Sequence, residues 1–162
     1  MVIINNTELS DEHIARIHQA GYKFTYINSY IGIGDWAKPV DWWIRRRSKI
    51  YTHNEYEFSD GISFSSSMRF DIGTGKSEGV RFRDIDYTKH PERWKKNLLI
   101  LPQLIEQNIR RRAEILAALK LKYDKRAIVG SLITGQHNPW DFFCSEVVYD
   151  IIACDLLLPV LN

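Results

Sequence analysis

The amino-acid sequence predicts an α+β protein in which helices pack around a central antiparallel sheet. Two features of the residue pattern support this class. Residues 49–86 alternate in the manner of strands and are divided by glycine-containing turns, whereas apolar residues on either side recur at helical spacing. The chain has 162 residues and shows no internal repeat or linker, so residues 1–162 are expected to form one domain. A sheet flanked by helices within one domain is typical of the α+β class.

The N-terminal part of the chain is predicted to contain two helices and a strand. Ser10 is a suitable N-cap, two acidic residues follow it in the first turn, and Gly21 ends the helix. Residues 22–33 are rich in β-branched and aromatic side chains, which favours a strand. After Pro39, residues 40–48 are predicted to form a short helix. These elements precede the central sheet.

The middle of the chain is predicted to form a three-stranded antiparallel meander. The predicted strands cover residues 49–58, 62–70 and 79–86. Glycine-containing turns separate them, as hairpin connections require. In the first of these strands, the alternation places His53 and Glu55 on one face and Asn54 and Tyr56 on the other.

Helices are predicted to dominate the C-terminal half. The predicted segments are residues 91–101, 102–121, 126–132 and 142–158. In the second segment apolar residues recur every three or four positions, which gives the helix one face to bury. A loop is expected at residues 135–139. Helices after the meander complete the α+β pattern.

Composition restricts the partners and the location that we expect. The formal net charge of +2 is too small to imply a polyanionic partner by itself. Cys144 and Cys154 do not have the spacing of a CxxC motif, which argues against a disulfide framework or a zinc site. Neither a signal peptide nor an apolar stretch long enough to span a bilayer is apparent. We therefore expect a cytoplasmic protein, while a phage-encoded or exported origin stays open.

Cys144 stands at the predicted start of the last helix, just after a turn-like segment. The unpaired N–H groups and the positive dipole end of a helix favour the thiolate, which is the nucleophilic form. A free cysteine is also often a small buried apolar residue, and this role is expected for Cys154 in its apolar run. Position alone favours burial for Cys144 as well, so the nucleophile hypothesis depends on the rest of the chain.

A cysteine nucleophile needs a base, and a third group to orient that base. Of the five histidines, only His53 lies within a predicted strand, where a rigid backbone can hold an imidazole in place. Glu55 shares the face of His53, and a carboxylate beside an imidazole raises its basicity and fixes its tautomer. Ser65 and Ser66 on the next strand are alternative orienting groups. The competing interpretation is that these are ordinary residues on the face of a sheet.

Four motifs occur in an order that resembles the order found in a known family. They are His53 in its strand, the Gly79-Val80 pair, the Tyr123-Asp124 pair and the helix start at residues 143–148. Together they resemble the circularly permuted papain-like proteins of the NlpC and YiiX-like group, in which the histidine strand precedes the cysteine helix. Residues 48–55 are similar to the Ser-His-x-Glu strand of that group, with Thr52 in the place of the serine. The resemblance covers residues 40–158, and residues 1–39 do not contribute to it.

The resemblance implies a papain-like fold of the permuted NlpC type and a cysteine hydrolase that needs no metal or organic cofactor. By this resemblance Cys144 is the nucleophile, His53 the general base and Glu55 the orienting group. The candidate substrate-binding residues are Tyr123, Asp124, Trp140 and Ser65. For Tyr123 and Asp124, ring packing and capping of the next helix is an equal alternative.

The reaction implied is acyl transfer. The thiolate attacks an amide carbonyl, and the helix N-terminus stabilises the resulting oxyanion. The histidine protonates the leaving group and then activates water. A peptide or peptidoglycan-type amide is the expected substrate. The alternative is a thioesterase or acyltransferase acting on lipid-like substrates, in which tryptophans such as Trp140 would line an apolar cleft.

Two non-enzymatic hypotheses stay open. Arginine runs at residues 45–47 and 110–112 could form a basic surface for nucleic acid. However, 20 acidic residues nearly balance 22 basic ones, so no nucleic-acid partner is expected. The other hypothesis is a papain-like domain that only binds a ligand, and the presence of both Cys144 and His53 argues against it. The oligomeric state is left open.

Overall fold

Seven strands and three helices make up the part of the chain that the structure, a computed structural model, describes. The described residues are 3–4, 7–31, 51–67, 79–122 and 144–157. The strands are β1 (Ile3–Ile4), β2 (Thr7–Glu8), β3 (Tyr22–Ile31), β4 (Tyr51–Glu57), β5 (Ile62–Ser67), β6 (Gly79–Asp84) and β7 (Trp94–Pro102). The helices are α1 (Asp11–Gln19), α2 (Gln103–Ala118) and α3 (Cys144–Leu157). These elements confirm the predicted α+β class.

The central sheet has five antiparallel strands in the order β6-β5-β4-β3-β7. The predicted meander corresponds to β4, β5 and β6, which are neighbours in the sheet and in the sequence. On the other side of β4 lies β3, in a register that sets Asn28 opposite Glu55 and Tyr30 opposite His53. Because β3 also pairs with β7 along nine consecutive residue pairs, it lies inside the sheet and not at its edge.

The prediction of a helix over residues 91–101 is wrong. A single 3₁₀ turn, Pro91–Arg93, is followed directly by the extended strand β7. The apolar run at residues 98–101 has no helical period, and in the strand Leu99 and Leu101 pack against the core of the sheet. The free edge of β3 supplies hydrogen bonds along the whole of β7, so long-range pairing outweighs local helix propensity here.

The two faces of the five-stranded sheet differ in character. The core between the sheet and α2 and α3 is apolar. It is formed by Tyr56, Phe58, Phe64, Val80, Leu101, Ile109, Ala113, Val147, Val148 and Ile151. On the opposite face five of the buried residues are polar. They are Asn28, Glu55, Glu57, Ser63 and Ser65. Buried polar groups of this kind must be hydrogen-bonded to be tolerated, which directs attention to this face.

The ends of the elements follow local signals where these are present. The Ser10 hydroxyl accepts a hydrogen bond from the backbone N–H of His13 at 3.3 Å, which confirms the predicted N-cap of α1. Gly21, just after α1, has a φ of +82° and turns the chain into β3. The short strands β1 and β2 pair with each other and were not predicted. The predicted helices at 40–48 and 126–132 and the loop at 135–139 lie outside the described residues.

None of the helices in the described ranges combines the length and the apolar character needed to traverse a bilayer.

Candidate active site on the polar face of the sheet

His53 and Glu55 form a direct contact on the polar face of β4. The strand alternation predicts that both side chains project from one face, and the Nε2 atom of His53 lies 2.8 Å from Oε1 of Glu55. The Glu55 side chain is fully buried, whereas that of His53 is 17% exposed. An imidazole fixed at one nitrogen by a buried carboxylate, and still reached by solvent, has the arrangement of an oriented base.

Two further side chains hold the Glu55 carboxylate. Nη1 of Arg83 lies 2.7 Å from Oε1, the same oxygen that binds His53. The hydroxyl of Tyr87 donates to the other oxygen, Oε2, at 2.9 Å. Arg83 comes from β6, two strands away from β4, and Tyr87 follows β6 in the chain. Three donors from three parts of the chain satisfy this carboxylate, which makes its burial tolerable.

The electrostatics keep Glu55 charged. Burial by itself would raise its pKa, but the hydrogen bond to His53 and the charges of His53 and Arg83 together lower the pKa of Glu55 below its ordinary value. Burial above all, and then the charge of Glu55, raise the pKa of Tyr87 far above that of a free tyrosine. Tyr87 therefore keeps its proton and serves as a hydrogen-bond donor.

A second carboxylate, Glu57, continues the same face of β4. Asn28 donates to its Oε2 at 2.5 Å, and Nζ of Lys96 lies 2.9 Å from the same oxygen. The Lys96 ammonium also lies 4.5 Å from the centre of the Tyr87 ring. This ammonium therefore contacts both the groups around Glu57 and the groups around Glu55. The two sets of side chains form one continuous polar layer across the sheet.

Ser65, the alternative orienting residue, has a weaker relation to His53. Its hydroxyl lies 3.5 Å from Nε2 of His53, at the limit of a hydrogen bond, and it donates to the backbone carbonyl of Asn54 at 2.7 Å. Ser66 projects from the opposite face, since it follows Ser65 directly in β5. Of the predicted orienting groups, Glu55 therefore makes the closest contact with His53.

Cys144 is the first described residue of α3, and later turns of that helix pack on the apolar face of the sheet. Val147 and Ile151 contribute to the core that contains Tyr56, whereas His53 projects from the other face of the same strand. The structure describes the backbone at Cys144, so its pairing with His53 stays a prediction. The other predicted residues Tyr123, Asp124 and Trp140 lie outside the described residues.

The pairing of β4 is uneven along its length. In the described residues, β4 and β5 pair at only two positions, Tyr56 with Phe64 and Glu57 with Ser63. The half of β4 that carries His53 pairs with β3 on its other side. There the Ser65 hydroxyl donates a hydrogen bond to the Asn54 carbonyl, where backbone hydrogen bonds between β4 and β5 would otherwise continue.

Arg83 and Tyr87 are the residues of this site that the sequence did not reveal. The alternation of Arg81 and Arg83 with Val80 and Phe82 along the predicted strand was the available signal, since it indicates a polar face. Within the described part of the chain, no group of three or more His, Cys, Asp and Glu side chains is arranged to hold a metal ion.

Comparisons with protein-family models, with curated proteins and with solved structures give no match to this chain. The resemblance to permuted papain-like proteins therefore stays a prediction from the sequence motifs.

Proposed function

We propose that this protein is a cysteine hydrolase that cleaves a peptide or peptidoglycan-type amide bond through an acyl-enzyme on Cys144. The observation that carries the proposal is the contact between His53 and the buried, charged Glu55. A partly exposed imidazole that is oriented in this way matches the base that a thiol nucleophile requires. The sequence predicts Cys144 at the start of the last helix, which is the place where a thiolate is stabilised.

His53 acts as the general base in this mechanism. With Glu55 at Nε2, the other ring nitrogen, Nδ1, is the one through which His53 accepts the thiol proton. The Cys144 sulfur then bonds to the amide carbon, and the C–N bond breaks as the leaving amine takes the proton from His53. Water next gives a proton to His53 while its oxygen attacks the thioester, which releases the acid and regenerates the thiol–imidazole pair.

The helix α3 supplies the electrostatic part of the mechanism. Its first backbone N–H groups have no partner within the helix, and they stabilise both the thiolate and the oxyanion of the tetrahedral intermediate. The proposal requires the thiol to reach an imidazole on the far face of β4. This approach would have to pass the half of β4 that carries His53, which lies beyond the two described pairs with β5.

Alkylation by iodoacetamide tests the proposal without knowledge of the substrate. Rates at Cys144 and Cys154 are followed by peptide mass spectrometry from about pH 4 to 9, where activated and ordinary thiols differ. We expect Cys144 to react rapidly below neutral pH and His53→Ala to remove this advantage. His90→Ala is the matched control, because His90 lies in an exposed turn beside Glu92 and its loss should change nothing.

Two results would overturn the hydrolase. One is a Cys144 rate profile that coincides with that of Cys154 across the pH range. The other is a Cys144 that is alkylated rapidly below neutral pH in the wild type and just as rapidly in His53→Ala, since its thiolate would then not depend on an imidazole.

A further inference from the structure

One oxygen of Glu55 binds the imidazole of His53 and the guanidinium of Arg83 at once. Oε1 lies 2.8 Å from Nε2 of His53 and 2.7 Å from Nη1 of Arg83. The second oxygen is occupied by the Tyr87 hydroxyl, which carries no charge. The carboxylate therefore shares its single negative charge between a fixed guanidinium and a titratable imidazole.

The charged groups around His53 include a cation, Arg83, that shares its carboxylate partner. The titratable and charged groups that share its face of the sheet, or contact residues there, are Tyr26, Tyr30, Glu55, Glu57, Arg81, Arg83, Tyr87, Arg93 and Lys96. The charge of Lys96 is matched by Glu57, whose carboxylate lies 2.9 Å from Nζ. From α3, the thiol of Cys144 joins this list in the proposed mechanism. The guanidinium of Arg83, in contrast, binds Oε1 of Glu55, the very atom that orients the imidazole.

A lone buried carboxylate would be a poor partner for a general base. Its full negative charge favours the imidazolium, and an imidazolium cannot accept a proton from a thiol. A neutral polar partner such as Ser65 would leave the imidazole weakly oriented, since its hydroxyl lies at 3.5 Å and binds Asn54. The base needs a strong acceptor at Nε2 without a full unit of uncompensated charge.

We propose that Arg83 is a positioning residue of the hydrolase proposed above, which offsets the charge of Glu55 so that this carboxylate orients His53 without locking it in the protonated form. Arg83 also fixes the carboxylate in place, because its side chain is only 16% exposed and reaches Glu55 from two strands away. The lowered pKa of Glu55 is consistent with this arrangement, since the carboxylate stays ionised beside the imidazole and the guanidinium.

An NMR titration of His53 tests the proposal. The ring signals of His53 are identified by their loss in His53→Gln, and the titration midpoint is then compared between the wild type and Arg83→Gln. Loss of the guanidinium should raise the midpoint by about one pH unit, because Glu55 then acts on the imidazole alone. Arg83→Lys keeps the positive charge and should restore most of the wild-type midpoint. An unchanged or lowered midpoint in Arg83→Gln would overturn the proposal.

Tyr87→Phe is the matched control for the effect of holding the Glu55 carboxylate less firmly in place. It removes a hydrogen bond to the same carboxylate and changes no charge, so its midpoint should move less than half as far as that of Arg83→Gln. Cys144→Ser supplies a second criterion, because it removes the thiolate whose charge would itself raise the midpoint. A midpoint in Cys144→Ser more than about 1.5 pH units above the ordinary histidine value of about 6.5 would also overturn the proposal.

The outcome is separable from that of the hydrolase. If Arg83 moves the midpoint as expected, the pH profile of Cys144 alkylation should move in the same direction and by a similar amount. Should the midpoint move while Cys144 reacts independently of His53, the charge offset by Arg83 holds and the hydrolase fails.

Discussion

His53 and Glu55 meet at 2.8 Å although they stand two positions apart on one strand, where Cα atoms are roughly 6 to 7 Å apart. Such neighbours converge only when their rotamers are directed toward each other. Arg83 and Tyr87 fix the rotamer of Glu55, because each of them binds one of its carboxylate oxygens. The orientation of the imidazole is thus built by residues that are distant in sequence, and its consequences can be measured.

Replacing Glu55, the group that orients His53, should lower the reactivity of Cys144 more than replacing the neighbouring Ser65. Glu55→Gln removes the charge at Nε2 of His53, so we expect the alkylation rate of Cys144 near neutral pH to fall by about tenfold or more. Ser65→Ala removes a hydroxyl that binds Asn54 and lies 3.5 Å from the ring, and it should lower the rate by less than about threefold. Equal losses in the two variants would assign the orienting role to the whole polar face and not to Glu55.

The same carboxylate should contribute to stability. Glu55→Gln removes the carboxylate charge that faces the largely buried Arg83 guanidinium, so the free energy of unfolding in urea should fall by about 3 kcal/mol. The comparison variant is Glu92→Gln, which breaks exposed ion pairs with His90 and Arg93 and should cost less than about 0.5 kcal/mol. A loss at Glu55 as small as that at Glu92 would show that the buried cluster adds nothing to stability.

The stability difference between wild type and Glu55→Gln should depend on pH in the acid range. The folded-state pKa of Glu55 is lowered from 4.5, so its stabilisation is fully present above that value and is lost as the pH falls through the folded pKa. Asp60 and Asp86 also have lowered pKa values, but they are common to both proteins and cancel in the difference. Urea unfolding at pH 5, 4 and 3, below the ordinary histidine value of about 6.5, should show the difference shrinking as the pH falls below about 4.5. A difference that stays constant down to pH 3 would contradict the ionised state of Glu55.

Local signals in the sequence predicted the parts of the site that lie within one element. Period-two alternation placed His53 and Glu55 on one face of β4, and the N-cap at Ser10 predicted the start of α1. Each of these relations spans fewer than five residues. Steric alternation and capping fix such relations whatever the rest of the chain does.

The remaining parts depend on pairing between distant strands. Arg83 meets Glu55 only because β5 lies between β6 and β4, and β7 forms a strand only because β3 offers it a long edge. Register between strands is set by the whole sheet, and no short pattern around residues 91–101 contains it. The proposed approach of Cys144 to His53 belongs to the same category, since it joins a helix to a strand about ninety residues earlier.

The register of β6, which delivers Arg83, depends on Gly79 at the start of that strand. Gly79 has a φ of +99°, and a Cβ atom there would lie 2.1 Å from the backbone oxygen of Leu121. That oxygen also accepts a hydrogen bond from the N–H of Val80 at 3.0 Å, so it cannot withdraw without a further loss. We therefore expect Gly79→Ala to lower the free energy of unfolding by about 3 kcal/mol or more, through both strain and displaced backbone.

Gly61 provides the comparison that separates strain from collision. Its φ of +86° is equally unfavourable for alanine, but a Cβ atom at this exposed turn would meet nothing within 4 Å. Gly61→Ala should therefore cost only about 1 to 2 kcal/mol, the price of the left-handed conformation. If Gly79→Ala lowered the free energy of unfolding in urea by no more than Gly61→Ala, the close approach of Leu121 to β6 would be refuted. If the expected excess is found, the His53 titration of Gly79→Ala should also shift upward, because a displaced β6 draws Arg83 away from Glu55.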